Sequence, residues 1–264
     1  MNHTRKWFAA PVAIASSMLF ANSALGAIVL LDFGNNNTFR GASVPNPDPN
    51  GNYWNSLQTG VFYQNLVDTK NTPTAINFGF SSGVGTDSYN GPAGDTSAGT
   101  PASHVADTDI DAAALGILGV KEAAFDFVTN PSDGVPLRLE IQQLDPTQFY
   151  KLTFFGSHKY NAQNTTRYSI FSDASYATLV ASVDLVVGVD AAHNRDQVAV
   201  LNHIFPQAGN ILFVQVDGAG SGTGYLNSLA LESIPEPSAA IALMGGGSLL
   251  LGLRRRRSQR GAVC

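Results

Sequence analysis

Cysteine is almost missing from this sequence. The 264 residues hold one, Cys264, which excludes an internal disulfide framework and a cysteine-based zinc site. Charge is sparse as well: 13% of residues are charged against 44% hydrophobic, a balance that a disordered acidic chain does not have. Basic residues are scarcest in the middle. Residues 27–233 carry eight Lys and Arg against nineteen Asp and Glu, a net −11, while the whole chain is only −5 because the other seven basic residues sit in the two ends. So acidic a surface argues against nucleic acid and anionic lipid as partners of this central region, since both are held mainly through Lys and Arg. It suits divalent cations or neutral glycans. Helical periodicity and internal repeats are also lacking, which turns the expectation towards β structure.

Familiar catalytic arrangements are missing too. Asp32-Phe33-Gly34 spells the kinase magnesium motif, but the N-terminal signal leaves no room for a nucleotide-binding lobe before it. It reads instead as the end of a first strand with Phe33 in the core. Gly94-Asp-Thr-Ser97 resembles the GDS block of SGNH esterases, with Thr96 in the nucleophile's place and no His after His203. His104, His158, His193 and His203 fall in neither H-E-x-x-H nor H-x-H spacing, so surface or hydrogen-bonding roles are expected of them rather than zinc ligation. Thr72-Pro-Thr74 is the sole T-x-T, too little for the flat threonine array that ice binding would need.

What is present is concentrated at the ends. Residues 1–26 combine Arg5 and Lys6 with an apolar run from Trp7 to Phe20 and small residues at Ala24 and Gly26, the pattern of a secretory signal peptide cut by signal peptidase after Gly26 or after Ala27. No Cys follows the run, which excludes a lipobox anchor. Residues 234–264 contain Pro235-Glu236-Pro237, an apolar segment from Ala239 to Leu253, and Arg254, Arg255, Arg256 and Arg257. Proline fixes φ and removes donors, so the triplet should be extended and open to an enzyme. Ser238 to Leu253 would span about 24 Å as a helix, short of the ~30 Å hydrocarbon core. That is a marginal permanent anchor. The arginines should stay cytoplasmic and leave the bulk of the chain across the inner membrane.

This ordered tail resembles the PEP-CTERM sorting signal of Gram-negative bacteria. The resemblance implies recognition at Pro235, Glu236 and Pro237 by an exosortase-type protease, transient holding in the inner membrane, and export to the cell surface or extracellular matrix.

Between the ends, Leu137, Leu139 and Ile141 alternate with Arg138, Glu140 and Gln142, the period of a half-buried strand. Further strand-like segments are Ile28–Phe33, Ala75–Phe80, Ala123–Val128, Phe149–Phe155, Arg167–Phe171, Thr178–Val187, Gln197–Phe205, Ile211–Val216 and Tyr225–Leu231, separated by turn signals. The expected fold is mainly β: a jelly-roll-type β-sandwich over 27–233, with Asp111–Gly119 as a short helix or turn and 34–60 and 81–106 as long loops. Val29-Leu-Leu-Asp-Phe-Gly34, Tyr53-Trp-Asn55, Leu144-Asp-Pro146, Tyr150–Ser157, Arg167 and Gly224-Tyr-Leu-Asn227 resemble galactose-binding-like jelly-roll modules. That likeness implies glycan association and supplies no catalytic residue.

The candidate ligand residues follow. Tyr53, Trp54 and Asn55 sit in a Gly/Asn-rich stretch, where Trp54 reads either as a core cap or as a ring stacked on a sugar face with Asn55 donating hydrogen bonds. His158, Tyr160 and Arg167 bracket a second polar-aromatic loop. Asp107, Asp109 and Asp111 alternate like the start of a calcium loop, but Ala112 and Leu118 stand where an EF-hand needs Gly and Glu, so only an extended carboxylate site for calcium remains. No other cofactor is expected. The favoured function is a noncatalytic surface or matrix protein that contacts extracellular polysaccharide. The alternative is a secreted carbohydrate-active hydrolase whose carboxylate pair is distant in sequence, about 5 to 9.5 Å apart in a cleft.

Overall fold

The structure, a computed structural model of the chain, describes residues 26–33, 43–88, 108–132, 134–158, 164–189, 192–220 and 222–235. Alternation builds it as a sandwich. One sheet runs in the order β11 (Ala199–Ile204), β7 (Gln148–Phe155), β14 (Ser228–Pro235), β1 (Ile28–Asp32) and β2 (Asn55–Ser56). A second runs β10 (Ala192–His193), β9 (Leu179–Val189), β8 (Asn164–Phe171), β12 (Leu212–Gly218), β6 (Leu137–Gln142) and β3 (Asn77–Phe80). A small third sheet joins β13 (Tyr225–Leu226), β5 (Asp126–Thr129) and β4 (Gly85–Ser88). Between β6 and β14 the chain passes repeatedly from one large sheet to the other, so neighbours in space are distant in sequence.

The side chains pointing between the large sheets form the main core. Val29 and Leu31 of β1, Leu152 and Phe154 of β7, and Leu229 and Leu231 of β14 meet Leu139, Ile141, Tyr168, Ile170, Val214 and Val216 from the facing sheet. Phe154 stacks on Tyr168 across the gap at 4.4 Å. The intervening residues of the five-stranded sheet are buried on its other side. Leu30, Phe155 and Ala230 pack with Trp54 and with Leu115, Leu118, Ala123 and Ala124, carried by α1 (Ala112–Leu115), a 3-10 turn (Gly116–Leu118) and α2 (Lys121–Phe125). A sheet covered on both faces explains why Val29-Leu-Leu reads as a continuous apolar run rather than an alternating one.

Three sequence expectations change. Ala123–Val128 was expected as one strand, but Ala123, Ala124 and Phe125 close α2 and the strand begins at Asp126. Such a run is apolar at either period, and here helical packing beneath Leu30 and Ala230 decides it. The loop expected over 81–106 contains β4, zipped to β5 from Gly85↔Thr129 to Ser88↔Asp126. The loop expected over 34–60 contains β2, which pairs in parallel with β1. Asp111–Gly119 forms the expected short helical segment.

The two ends of the domain lie side by side. Ser233 donates to the Ala27 carbonyl from its amide at 3.0 Å and its hydroxyl at 3.3 Å. β14 continues to Pro235, which pairs with Gln148. Among the described residues no helix is long and apolar enough to cross a membrane. The signal segment 1–25, Glu236, Pro237, the apolar segment and Arg254–Arg257 lie outside the described residues.

Candidate functional site

Trp54 is built into the core. Asp48 folds the preceding turn by accepting from the Asn50 and Asn52 amides at 2.8 Å each, and its second oxygen accepts the Trp54 indole N–H at 2.9 Å. Asn46 clamps the Trp54 backbone, accepting from its amide at 2.7 Å and donating to its carbonyl at 3.0 Å. At 2% exposure the indole presents no face to a sugar, so of its two readings the core cap holds and the stacking platform does not. Asn55 is equally committed: its amide group donates to the Leu30 and Val67 carbonyls at 3.0 and 2.9 Å, and its oxygen accepts from Val67 N–H at 2.9 Å. It pins β2 in place and has no donor left for a glycan. Tyr53 beside them is half-buried.

His158 and Arg167 do not converge. The His158 ring stacks on Tyr225 at 4.7 Å and meets Phe127 edge-on at 5.0 Å, half-buried at the end of the main core. Gly156, two residues earlier, lies so close to the Tyr168 hydroxyl and the Tyr225 carbonyl that a side chain there would collide with both. On β8, Thr166 and Tyr168 face inward, so Arg167 must face out. It grips Asp184 of β9 through Nε and Nη2 at 2.7 and 2.8 Å, and this guanidinium holds the Asp184 carboxyl below its ordinary range. Tyr160 lies outside the described residues.

The acidic run is used structurally. Asp109 pairs with Arg195 at 2.8 Å, and its carbonyl meets His193 Nε2 at 2.9 Å. Asp111 caps α1, accepting from the Ala113 and Ala114 amides at 3.1 Å each. Asp107 lies outside the described residues. Among the described residues no three His, Cys, Asp or Glu side chains gather as a metal site would require.

Two other carboxylates stand out, and sequence reasoning passed over both. Asp32 ends β1 and Asp126 opens β5, each 0% exposed. Ser228 lies opposite Asp32 in the β1–β14 register. Three residues, Leu226 to Ser228, carry the chain from the partner of Asp126's strand to the partner of Asp32's strand. Asn227 locks the junction: its carbonyl accepts from Phe33 N–H at 3.2 Å, and its side chain donates to the Ala124 carbonyl at 3.0 Å while accepting from Ser157 N–H at 2.7 Å. One Asp32 oxygen accepts from the Val44 amide at 3.1 Å and the Ser56 hydroxyl at 2.9 Å. Its other oxygen, both Asp126 oxygens and the Ser228 hydroxyl are buried with no hydrogen-bond partner. Burial pushes the Asp32 carboxyl up to about 8, and the field of Glu122 adds to this against its two hydrogen bonds. Burial, then the facing Asp32 charge, raises Asp126 as well. The available signal was a lone acid inside an apolar run, Leu-Asp-Phe at 31–33 and Phe-Asp-Phe at 125–127, where a carboxylate is costly without a partner.

Exposed aromatic surface occurs elsewhere. Phe149 of β7 packs on Phe205 at 4.0 Å and on His203 at 5.5 Å, with Phe205 43% exposed. His203 stands at φ +56°, where the β11–β7 register shifts between Leu201 and Ile204. This patch adjoins the end of β14, since Phe149 lies opposite Ile234.

No family model and no curated protein matches the chain. A solved structure of the enzymatically active domain of bacteriophage CBA120 tailspike protein 4 aligns at 14% identity and a TM-score of 0.27, covering 59% of this chain and 18% of the tailspike chain.

Proposed function

We infer that this is an exported surface or matrix protein: a noncatalytic β-sandwich delivered by an N-terminal secretion signal, sorted at Pro235-Glu236-Pro237 by an exosortase-type protease, and contacting extracellular polysaccharide. The observation that supports the reading is that β1 and β14 bring the two ends of the described sandwich together. The β-sandwich takes in Ala27, directly after the expected signal-peptide cut, and Pro235, the first residue of the triplet. The segments that carry the two sorting signals therefore join the sandwich at neighbouring strands of one sheet. Mass spectrometry of the cell-released protein should find an N-terminus at Ala27 or Ile28 and a C-terminus near Pro235. Recovery of a mature protein that retains Arg254–Arg257 would reject the sorting assignment.

With Trp54 buried, the surface that best supports glycan contact is the Phe149–His203–Phe205 patch, where an exposed ring can lie against a sugar face. A hydrolase would need its carboxylates in a cleft open to the polysaccharide. Asp32 and Asp126, whose carboxyls are both raised by burial, are sealed from solvent, which favours the noncatalytic reading.

A further inference from the structure

Beyond sorting and glycan contact, and independently of both, the junction of β1, β5 and β14 has the composition of an ion site. We propose that Asp32 and Asp126, with the Ser228 hydroxyl, bind a hard divalent cation of calcium's size in the core of the domain. Four buried oxygens there have no donor: Asp32 Oδ1, Asp126 Oδ1 and Oδ2, and Ser228 Oγ. Leaving such groups unpaired in an apolar interior is expensive, and two unpaired carboxylates more so. A proton neutralises one carboxylate; a single divalent ion neutralises both and draws on all four oxygens. Calcium takes six to eight oxygens in loose geometry, whereas magnesium holds to a small octahedron and retains its waters, so a dry junction of carboxylates and a hydroxyl suits calcium better. The donors already on Asp32, Val44 N–H and Ser56 O–H, fix one oxygen and leave the other without a partner, the usual way a ligating carboxylate is held. The ion would tie the first strand, the last strand and the small sheet together at the point where Asn227 crosses between them.

The test uses the exported protein as the cell releases it. Metal analysis should find one calcium per chain. At pH 7.5, moving from EDTA to calcium chloride at a hundredfold over Kd should raise Tm by about 5 to 10 °C. D126N should lose that rise and, in EDTA, melt above the wild type, because a buried acid that opposes folding at this pH is gone. D109N should keep the full calcium response. If D126N does not fold, S228A, which removes an oxygen and no charge, should weaken calcium binding several-fold. A wild-type Tm identical in EDTA and calcium would overturn the proposal in favour of a protonated acid pair. A calcium response retained by D126N, unchanged in S228A, or lost in D109N would place the ion elsewhere and overturn it equally.

Discussion

Stripped of divalent cations, this domain should lose stability as pH rises from 4 to 8, the reverse of what a surface rich in carboxylates would suggest. The unfolded chain releases the Asp32 proton near 3.8, while the folded chain holds it to about 8. Across that window the native state binds more protons than the unfolded state, so unfolding becomes easier with each pH unit. About four units at ~1.4 kcal/mol each amount to about 6 kcal/mol, and Asp126, raised by the same burial, adds in the same direction. Set against the ~5 to 15 kcal/mol typical of a domain, that would leave the metal-free protein marginal at pH 8. The exposed carboxylates Asp145, Asp173 and Asp184 are shifted down by their hydrogen bonds. They stabilise above the ordinary carboxylate range and lose that contribution only as pH falls below it, so the two effects occupy separate windows. Urea titrations of the mature protein in EDTA at pH 5, 6, 7 and 8, followed by the fluorescence of Trp54, its sole tryptophan, should give midpoints that fall steadily with unchanged slope. D32N should make the fall shallower, leaving the part that the burial of Asp126 contributes. A wild-type midpoint that is constant or rises between pH 5 and 8 would refute the reasoning.

Further outcomes follow from the packing. Trp54→Ala should destabilise the protein by about 3 to 5 kcal/mol, the range for deleting a buried aromatic, measurable by thermal melts, while leaving polysaccharide retention by the residual folded fraction unchanged. Phe205→Ala should do the opposite, lowering retention on the cognate polysaccharide in a glycan array or pull-down with a Tm shift of no more than a degree or two. Tyr168→Phe should cost about 1 kcal/mol in chemical denaturation, because it removes the buried 2.7 Å hydrogen bond to the Tyr225 carbonyl.

The β class and most strands were legible because the outer sheet faces water on one side. In β6, Leu137, Leu139 and Ile141 are buried and the residues between them are not, so period two appears directly in the letters. Legibility falls where a segment is covered on both sides. Ala123-Ala-Phe125 could serve either period, and only the second core beneath Leu30 and Ala230 makes it a helix end. Trp54 misleads for a related reason: its Gly/Asn-rich neighbours look like solvent-facing loop, yet Asp48 and Asn46 supply the hydrogen bonds that let an indole be buried there.

The acid pair is hidden more deeply. Asp32 and Asp126 are 94 positions apart, and they meet only because β14 takes its place beside β1 while β13, two residues upstream, pairs with β5. No local pattern encodes that meeting. Each acid does, however, break an apolar run without an adjacent base, and hydrophobic context alone should have removed it in favour of Ser, Asn or Leu. A carboxylate that stays in such a position has something to hold, whereas Asp109 and Asp111 of the conspicuous acidic stretch are exposed and already have a partner in Arg195 and a helix to cap. The charge that matters most to this acidic domain lies where the sequence is least acidic.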